Sequence, residues 1–336
     1  MALQTIRQQY KPSPRLLSTA ERVTCRSVLI RYGLTFILCS WNALLSAGAR
    51  EGETQDTESS PPDPARLIQQ VNNHYRSAAT YRAEGKALTR ILQPESGTET
   101  AVGVSFRMWL GRPGLYRIEW TEHRNLGKTE SGAVWNDGDG PYLYLGTSGG
   151  YTRMSSDPIA LAAATGVSLG VAHTIPSLFF EFRDTTGLLD RLQSPVLEAS
   201  EVVDETPCHV VAASLPSGLE YRLWISKDEP ILIQVENLLG GSSETDAVPE
   251  STPEQEVQAL RALGLDDTEA NRDRIRASLQ QARELMKQIR GTAKQLHQDI
   301  RMSVPLATEA FAFQVPEGVT NGLDIAGAEL SDESGR

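Results

Sequence analysis

The chain has 336 residues, 40% hydrophobic and 22% charged, enough to bury a substantial core in one large domain or two small ones. Its formal net charge of −11, with no standing cluster of Lys and Arg, excludes the basic footprint that nucleic-acid binding requires. Two of the three cysteines, Cys25 and Cys39, lie near the N-terminus, so only Cys208 remains downstream and no disulfide framework is available.

Residues 1–49 read as a signal peptide. Arg7, Lys11, Arg15, Arg22, Arg26 and Arg31 make a basic leader with one acid, Glu21, followed by an apolar run from Gly33 to Leu45 and small residues at Ala47 and Ala49. The run is short for a permanent span, which favours cleavage near Ala49 over retention as an anchor. Losing six basic residues and one acid takes the net charge from −11 to −16, a surface opposed to adhesion on anionic membranes. Residues 50–64, acidic and rich in Ser and Pro, read as a disordered linker.

A helix is predicted to start at Asp63-Pro64, because proline suits the first helical position and Leu67, Ile68, Val71 and Tyr75 form one apolar stripe. Residues 81–91 turn to strand character. In 100–110, Val102, Val104, Phe106, Met108 and Leu110 alternate strictly, Arg112-Pro113-Gly114 turns the chain, and Tyr116, Ile118 and Trp120 carry the return. Strands follow at 134–135, 142–145 and 151–154. Residues 159–165 and 175–182 are apolar and helical, and two greasy helices between strands need the concave face of a sheet to lie on. A meander resumes over 196–203, 208–215, 221–226 and 231–235.

Residues 238–254 read as a linker into a helical insertion, 251–299. There Ile275, Leu279, Ala282, Met286, Ile289, Ala293 and Leu296 follow a heptad seam, a short coiled-coil pattern that Asp266 and Glu269 would cap and Gly291 would weaken. A closing strand is predicted at 310–315 and a loose acidic tail over 321–336.

Motifs with catalytic associations dissolve on inspection. Gly146-Thr147-Ser148-Gly149-Gly150 matches the hydrolase elbow, but a strand rather than a helix follows, so a hairpin loop is the better reading. Asn136-Asp137-Gly138-Asp139-Gly140 opens like a calcium loop, yet Ser148 stands where a bidentate Glu is needed, and Asp-Gly pairs are ordinary turn chemistry. Cys208 and His209, adjacent in a strand, point to opposite faces. The five histidines lack metal-ligand spacing. No catalytic residue, metal site or cofactor is expected, and the protein is read as a non-enzyme.

What remains is aromatic. Trp109-Leu110-Gly111-Arg112-Pro113-Gly114-Leu115-Tyr116-Arg117, then Trp135-Asn136-Asp137-Gly138 leading into Tyr142-Leu143-Tyr144, and finally Phe311-Ala312-Phe313-Gln314-Val315-Pro316-Glu317-Gly318 resemble the LolA/LolB-like superfamily, nearest to periplasmic outer-membrane lipoprotein-sorting-like proteins. The resemblance covers residues 65–320 apart from the insertion, which has no counterpart in the minimal carriers; Val315 also replaces one of two prolines usual in the closing motif.

It implies a mainly β (α+β) fold: an open, strongly curved antiparallel half-barrel with a helical lid, here with a long helical insertion. It further implies a periplasmic carrier or binder of lipid or lipoprotein acyl chains. Phe106, Met108, Trp109, Tyr116, Ile118, Trp120, Trp135, Tyr142, Tyr144, Leu178, Phe179 and Phe182 would line an apolar cavity. In the carriers the arginine before the proline holds the lid shut, which assigns a lid clasp to Arg112; a solvated turn arginine is the alternative. The expected partner is a lipid or acylated lipoprotein, with transient membrane contact at most. The competing reading is a sensor or scaffold that binds a protein partner through 253–297.

Overall fold

The computed structural model describes residues 61–93, 97–123, 129–182, 187–216, 218–239, 253, 256, 257, 260, 266–287 and 290–322. The predicted signal peptide, most of the linker and the tail from 323 lie outside them. Helix α1 (Pro64–Ser77) begins as the sequence predicts: the Asp63 side chain accepts from Ala65 N–H at 3.0 Å, and Ile68, Val71 and Tyr75 face inward.

The rest is one open sheet of twelve strands in the order β12-β6-β5-β4-β3-β2-β1-β11-β10-β9-β8-β7. Six come as a first meander: β1 (Thr80–Gln93), β2 (Thr98–Gly111), β3 (Leu115–His123), β4 (Thr129–Asn136), β5 (Pro141–Leu145) and β6 (Gly150–Arg153). A second follows with β7 (Gln193–Val203), β8 (Thr206–Ser214), β9 (Glu220–Ser226) and β10 (Leu232–Leu239). Between the meanders the chain forms α2 (Asp157–Val167), α3 (Val171–Thr174) and α4 (Pro176–Phe179), all apolar, lying on the sheet.

One buried cluster joins α1–α4 to Val104, Phe106, Met108, Leu110, Tyr116, Ile118 and Trp120 of the first meander and to Val211, Leu223, Ile225 and Val235 of the second. Strands from both halves meet the same helices because the sheet curls around them. The pairing is antiparallel except where β12 (Thr320–Asn321) runs parallel to β6.

Two predicted elements are corrected. The heptad seam is not a single helix to residue 299: α5 (Glu269–Lys287) ends within the described residues at Lys287, and Arg290–Met302 is strand β11. β11 fills the centre of the sheet, paired with β1 on one side and β10 on the other, so Ala293 and Leu296 belong to a strand. The segment is rich in helix formers, but two continuous ladders outweigh propensities of a few tenths of a kcal/mol per residue. Gly291 explains itself here. A Cβ at that position would stand 2.1 Å from the Arg90 carbonyl oxygen, so the residue that weakens a helix lets β11 approach β1. The cap of α5 is Thr268, whose hydroxyl accepts from Asn271 N–H at 3.3 Å, rather than Asp266. Of the predicted seam, Ile275 is buried, while the side chains of Leu279, Ala282, Met286 and Ile289 lie outside the described residues.

The closing strand predicted at 310–315 is likewise absent from the sheet. Residues Thr308–Phe311 form a short 3-10 turn, and 312–319 cross the outer face as an extended strap. Arg117 donates to the Ala312 carbonyl at 2.6 Å, and Phe313, Val315 and Val319 pack against Trp135 and Tyr144.

Candidate functional site

Side chains alternate along each strand, so the register sorts the expected cavity residues onto two faces. Phe106, Met108, Tyr116, Ile118 and Trp120 point to the concave face, beneath Leu178, Phe179 and the partly buried Phe182. Trp109, Trp135, Tyr142 and Tyr144 point the other way. Trp109 lies under the Arg117 guanidinium, 3.9 Å from its ring centroid, and Trp135 stacks on its cross-strand partner Tyr142 at 5.2 Å and meets Phe313 at 5.0 Å in a tilted contact. The structure thus separates an inner aromatic wall from an outer one covered by the strap.

Among the described residues, polar tethers join the lid to the sheet at Asp157, at Gln295 and at Arg112. At its start, the Asp157 carboxylate accepts from Tyr116 Oη at 3.1 Å and from Asn136 Nδ2 at 2.8 Å. Burial, and the Asp157 charge beside it, push the Tyr116 phenol well above its ordinary range and keep it a donor. At its corner, Gln295 Nε2 donates to the Leu169 carbonyl at 3.2 Å. Leu169 (φ 53°) and Gly170 (φ 85°) are both left-handed there, and a Cβ on Gly170 would lie 2.7 Å from Gln295 Nε2.

At its far end stands Arg112. Its Nε donates to the Ala78 carbonyl at 3.0 Å, while Nη2 donates to the Arg76 carbonyl at 2.7 Å and to the Phe179 carbonyl; the guanidinium rests 4.8 Å from the Phe179 ring centroid. One side chain therefore ties the C-terminal carbonyls of α1 to the last residue of α4, where helix ends leave acceptors unsatisfied. Beside it, Asp190 accepts from Arg76 Nη2 and Asn72 Nδ2, both at 2.6 Å. Asp157, Gln295, Asp190 and Arg76 escaped the sequence reading. Only Asp157 carried a signal, an acid before proline at a helix start.

In this closed arrangement the concave face is packed. Met108, Leu110, Tyr116, Ile118 and Phe179 are each 0% exposed, so the hollow expected beneath the lid is occupied by the protein's own side chains. A groove of about 260 Å³ lies instead on the outer face of β7–β10, lined by Val196, Ala212, Arg222, Glu236 and Leu238 among others.

The chemical motifs resolve as turns and packing. The β4–β5 turn is held by Asn136 Oδ1, which accepts from Gly138 N–H at 3.0 Å and Gly140 N–H at 3.2 Å, and Ser148 Oγ donates to the Leu145 carbonyl at 2.9 Å within a hairpin loop. Cys208 is buried on the outer face against Val210, Trp224 and Ile233, and burial raises its thiol pKa. Ser105 Oγ and His123 Nε2 are 3.0 Å apart on the exposed surface of β2–β3, and among the described contacts no carboxylate orients that imidazole. No group of three or more His, Cys, Asp or Glu suited to a metal occurs among the described residues, and no helix among them is long and apolar enough to cross a membrane.

No family model matches the sequence, and no curated protein does. Solved structures of similar fold include the Mycobacterium tuberculosis lipoprotein LppX, at 11% identity over 74% of this chain and 100% of that one, with a TM-score of 0.35. An outer membrane lipoprotein-sorting protein domain from Vibrio parahaemolyticus aligns at 8% identity over 74% and 95%, with a TM-score of 0.29. A chain of the Pseudomonas aeruginosa MucA/MucB complex aligns at 10% identity over 75% and 62%, with a TM-score of 0.32. The architecture itself is one open, mostly antiparallel sheet of twelve strands packed around short apolar helices. What such a fold holds in this chain is a question for its own residues.

Proposed function

We propose that the protein is a non-enzymatic binder or carrier of lipid or lipoprotein acyl chains, exported to the periplasm with its leader removed near Ala49. The observation that supports it best is the construction of the lid. Helices α2–α4 and the sheet beneath them present two continuous apolar surfaces, fastened by a few polar tethers, of which Arg112 is the outermost. Lifting the lid from the Arg112 end opens a cleft with apolar walls on both sides. An acyl chain entering it recovers about 0.8 kcal/mol for each methylene buried, which offsets the separation of the two walls. The site is therefore made by movement rather than held open.

The packed concave face favours a second reading, in which the half-barrel is a scaffold and a protein partner docks through the insertion between β10 and β11. Native mass spectrometry and lipid extraction of the exported protein distinguish the two. Copurifying acyl species, lost or exchanged faster in Arg112→Ala, support the carrier. A clean protein that takes up no acyl probe even as Arg112→Ala sinks it, and a stable protein complex abolished by deleting residues 253–287 then supports the scaffold.

A further inference from the structure

The concave face is largely apolar, and the buried polar side chains on its central strands are Gln295 and His297 of β11 and, on the neighbouring β10, Asn237, whose Nδ2 also has no partner among the described residues. β11 directs Gln295 and His297 inward, because their cross-strand partners Ala87 and Val235, opposite Gln295, belong to the inner core, and Gly85 opposite His297 makes room for the Phe106 ring. Both side chains are buried, at 7% and 2% exposure. Each has one fixed and one idle atom. Gln295 Nε2 donates to the lid corner at Leu169, which leaves Oε1 without a partner; His297 Nδ1 lies 3.3 Å from Tyr81 Oη, which leaves Nε2 without one.

Two orphaned polar atoms on one strand, about 7 Å apart by the two-residue repeat, each carry a burial penalty of about 1–3 kcal/mol. A core that served packing alone would place Leu or Val at both positions. Burial lowers the His297 pKa to about 4, with no charged neighbour contributing, so the ring is neutral at pH 7. The described contacts of the pair include no cation, since Lys294 lies on the opposite face over Trp224.

Resting on the acyl-binding reading above, we infer that Gln295 and His297 form a polar anchor that selects an uncharged acyl ligand bearing an N–H or O–H, such as an amide-linked or hydroxylated chain, over a bare ester or a free fatty acid. The Gln295 amide is oriented by its bond to Leu169, so Oε1 is an acceptor that only a donor satisfies. With Nδ1 accepting from Tyr81 Oη, His297 Nε2 carries the proton and donates to the ligand's carbonyl or hydroxyl oxygen, while the ligand's single N–H or O–H donates to Gln295 Oε1. A carboxylate would be set against the Gln295 acceptor in a site without a compensating charge. Because Gln295 also touches the lid corner, lifting that corner and exposing the anchor are one event.

The test compares N-methylpalmitamide, methyl palmitate and palmitate as competitors of a fluorescent acyl probe on the purified protein. The amide and the ester differ chiefly in one N–H. The amide is expected to compete about tenfold better, the worth of one hydrogen bond to a buried acceptor, and Gln295→Met to bring the amide-to-ester ratio to about one, whatever the lost lid tether does to both ligands together. Equal competition by amide and ester on the wild-type protein, or an undiminished amide-to-ester ratio in Gln295→Met, overturns the anchor and leaves acyl binding standing. Failure of the probe itself to bind overturns both. The wild-type comparison holds even if the variant folds poorly, and His297→Phe is expected to shift the amide in the same direction.

Discussion

The inner and outer aromatic layers of the first meander are alike in composition and unlike in what covers them. Outside, Trp135, Tyr142 and Tyr144 lie beneath the strap of residues 312–319, packed ring on ring with Phe313. Inside, Phe106, Met108, Tyr116, Ile118 and Trp120 lie beneath three short helices whose polar attachments among the described residues include Asp157, Gln295 and Arg112. Aromatic content alone therefore does not mark a ligand wall. The cover does, since a layer can receive a guest only if its roof can leave without unfolding the sheet.

The sharpest way to break this comparison is Trp135→Ala. As a core truncation it is expected to destabilise by about 3–5 kcal/mol in urea denaturation, while acyl-probe affinity per folded molecule stays unchanged. Loss of affinity without loss of stability would reverse the roles given to the two faces. Next in size, His297 gives a pH dependence. Its folded pKa is depressed to about 4 from 6.5, so the unfolded chain takes up a proton first as pH falls. Stability is fully present above pH 6.5 and declines between 6.5 and 4; about 2 kcal/mol should be lost by pH 5 through this residue, and His297→Gln should lose correspondingly less over the same interval.

Arg112→Ala should cost about 1–3 kcal/mol and act locally, raising amide exchange in 171–180 more than in β2 or β3. Uniform acceleration across the sheet would mean the lid is not a separable cover. Smallest of all, Ser148→Ala should change stability by less than about 0.5 kcal/mol and leave any ester hydrolysis unaltered, because its hydroxyl only closes a hairpin loop.

Local patterns were legible where one neighbour decides the outcome. The Asp63 cap, the alternation through Leu110 and the turn at Asn136–Gly140 each depend on residues within a few positions, and all three are present. The inner half of the candidate site was legible for the same reason: Phe106, Met108, Tyr116, Ile118 and Trp120 share one face by alternation within a single hairpin. Trp109, Trp135, Tyr142 and Tyr144 were not separable from them, because choosing between two aromatic faces needs knowledge of the strap that returns from 312. Gln295 and His297 were hidden inside a segment that reads as helix.

The sequence by itself determined two β-meanders, their turns and the apolar stretch that becomes the lid, because these follow from spacing, glycine and proline positions and hydrophobic periodicity along the chain, whereas the openness of the sheet was only implied by a family resemblance. Tertiary structure alone decided that residues 290–302 join the two meanders as a central strand and that 312–319 roof the outer face. Both depend on hydrogen-bonding edges and apolar surfaces supplied by segments far along the chain, as Arg90 opposite Thr292, Val235 opposite Gln295 and Trp135 against Phe313 show, and no local window of sequence contains them.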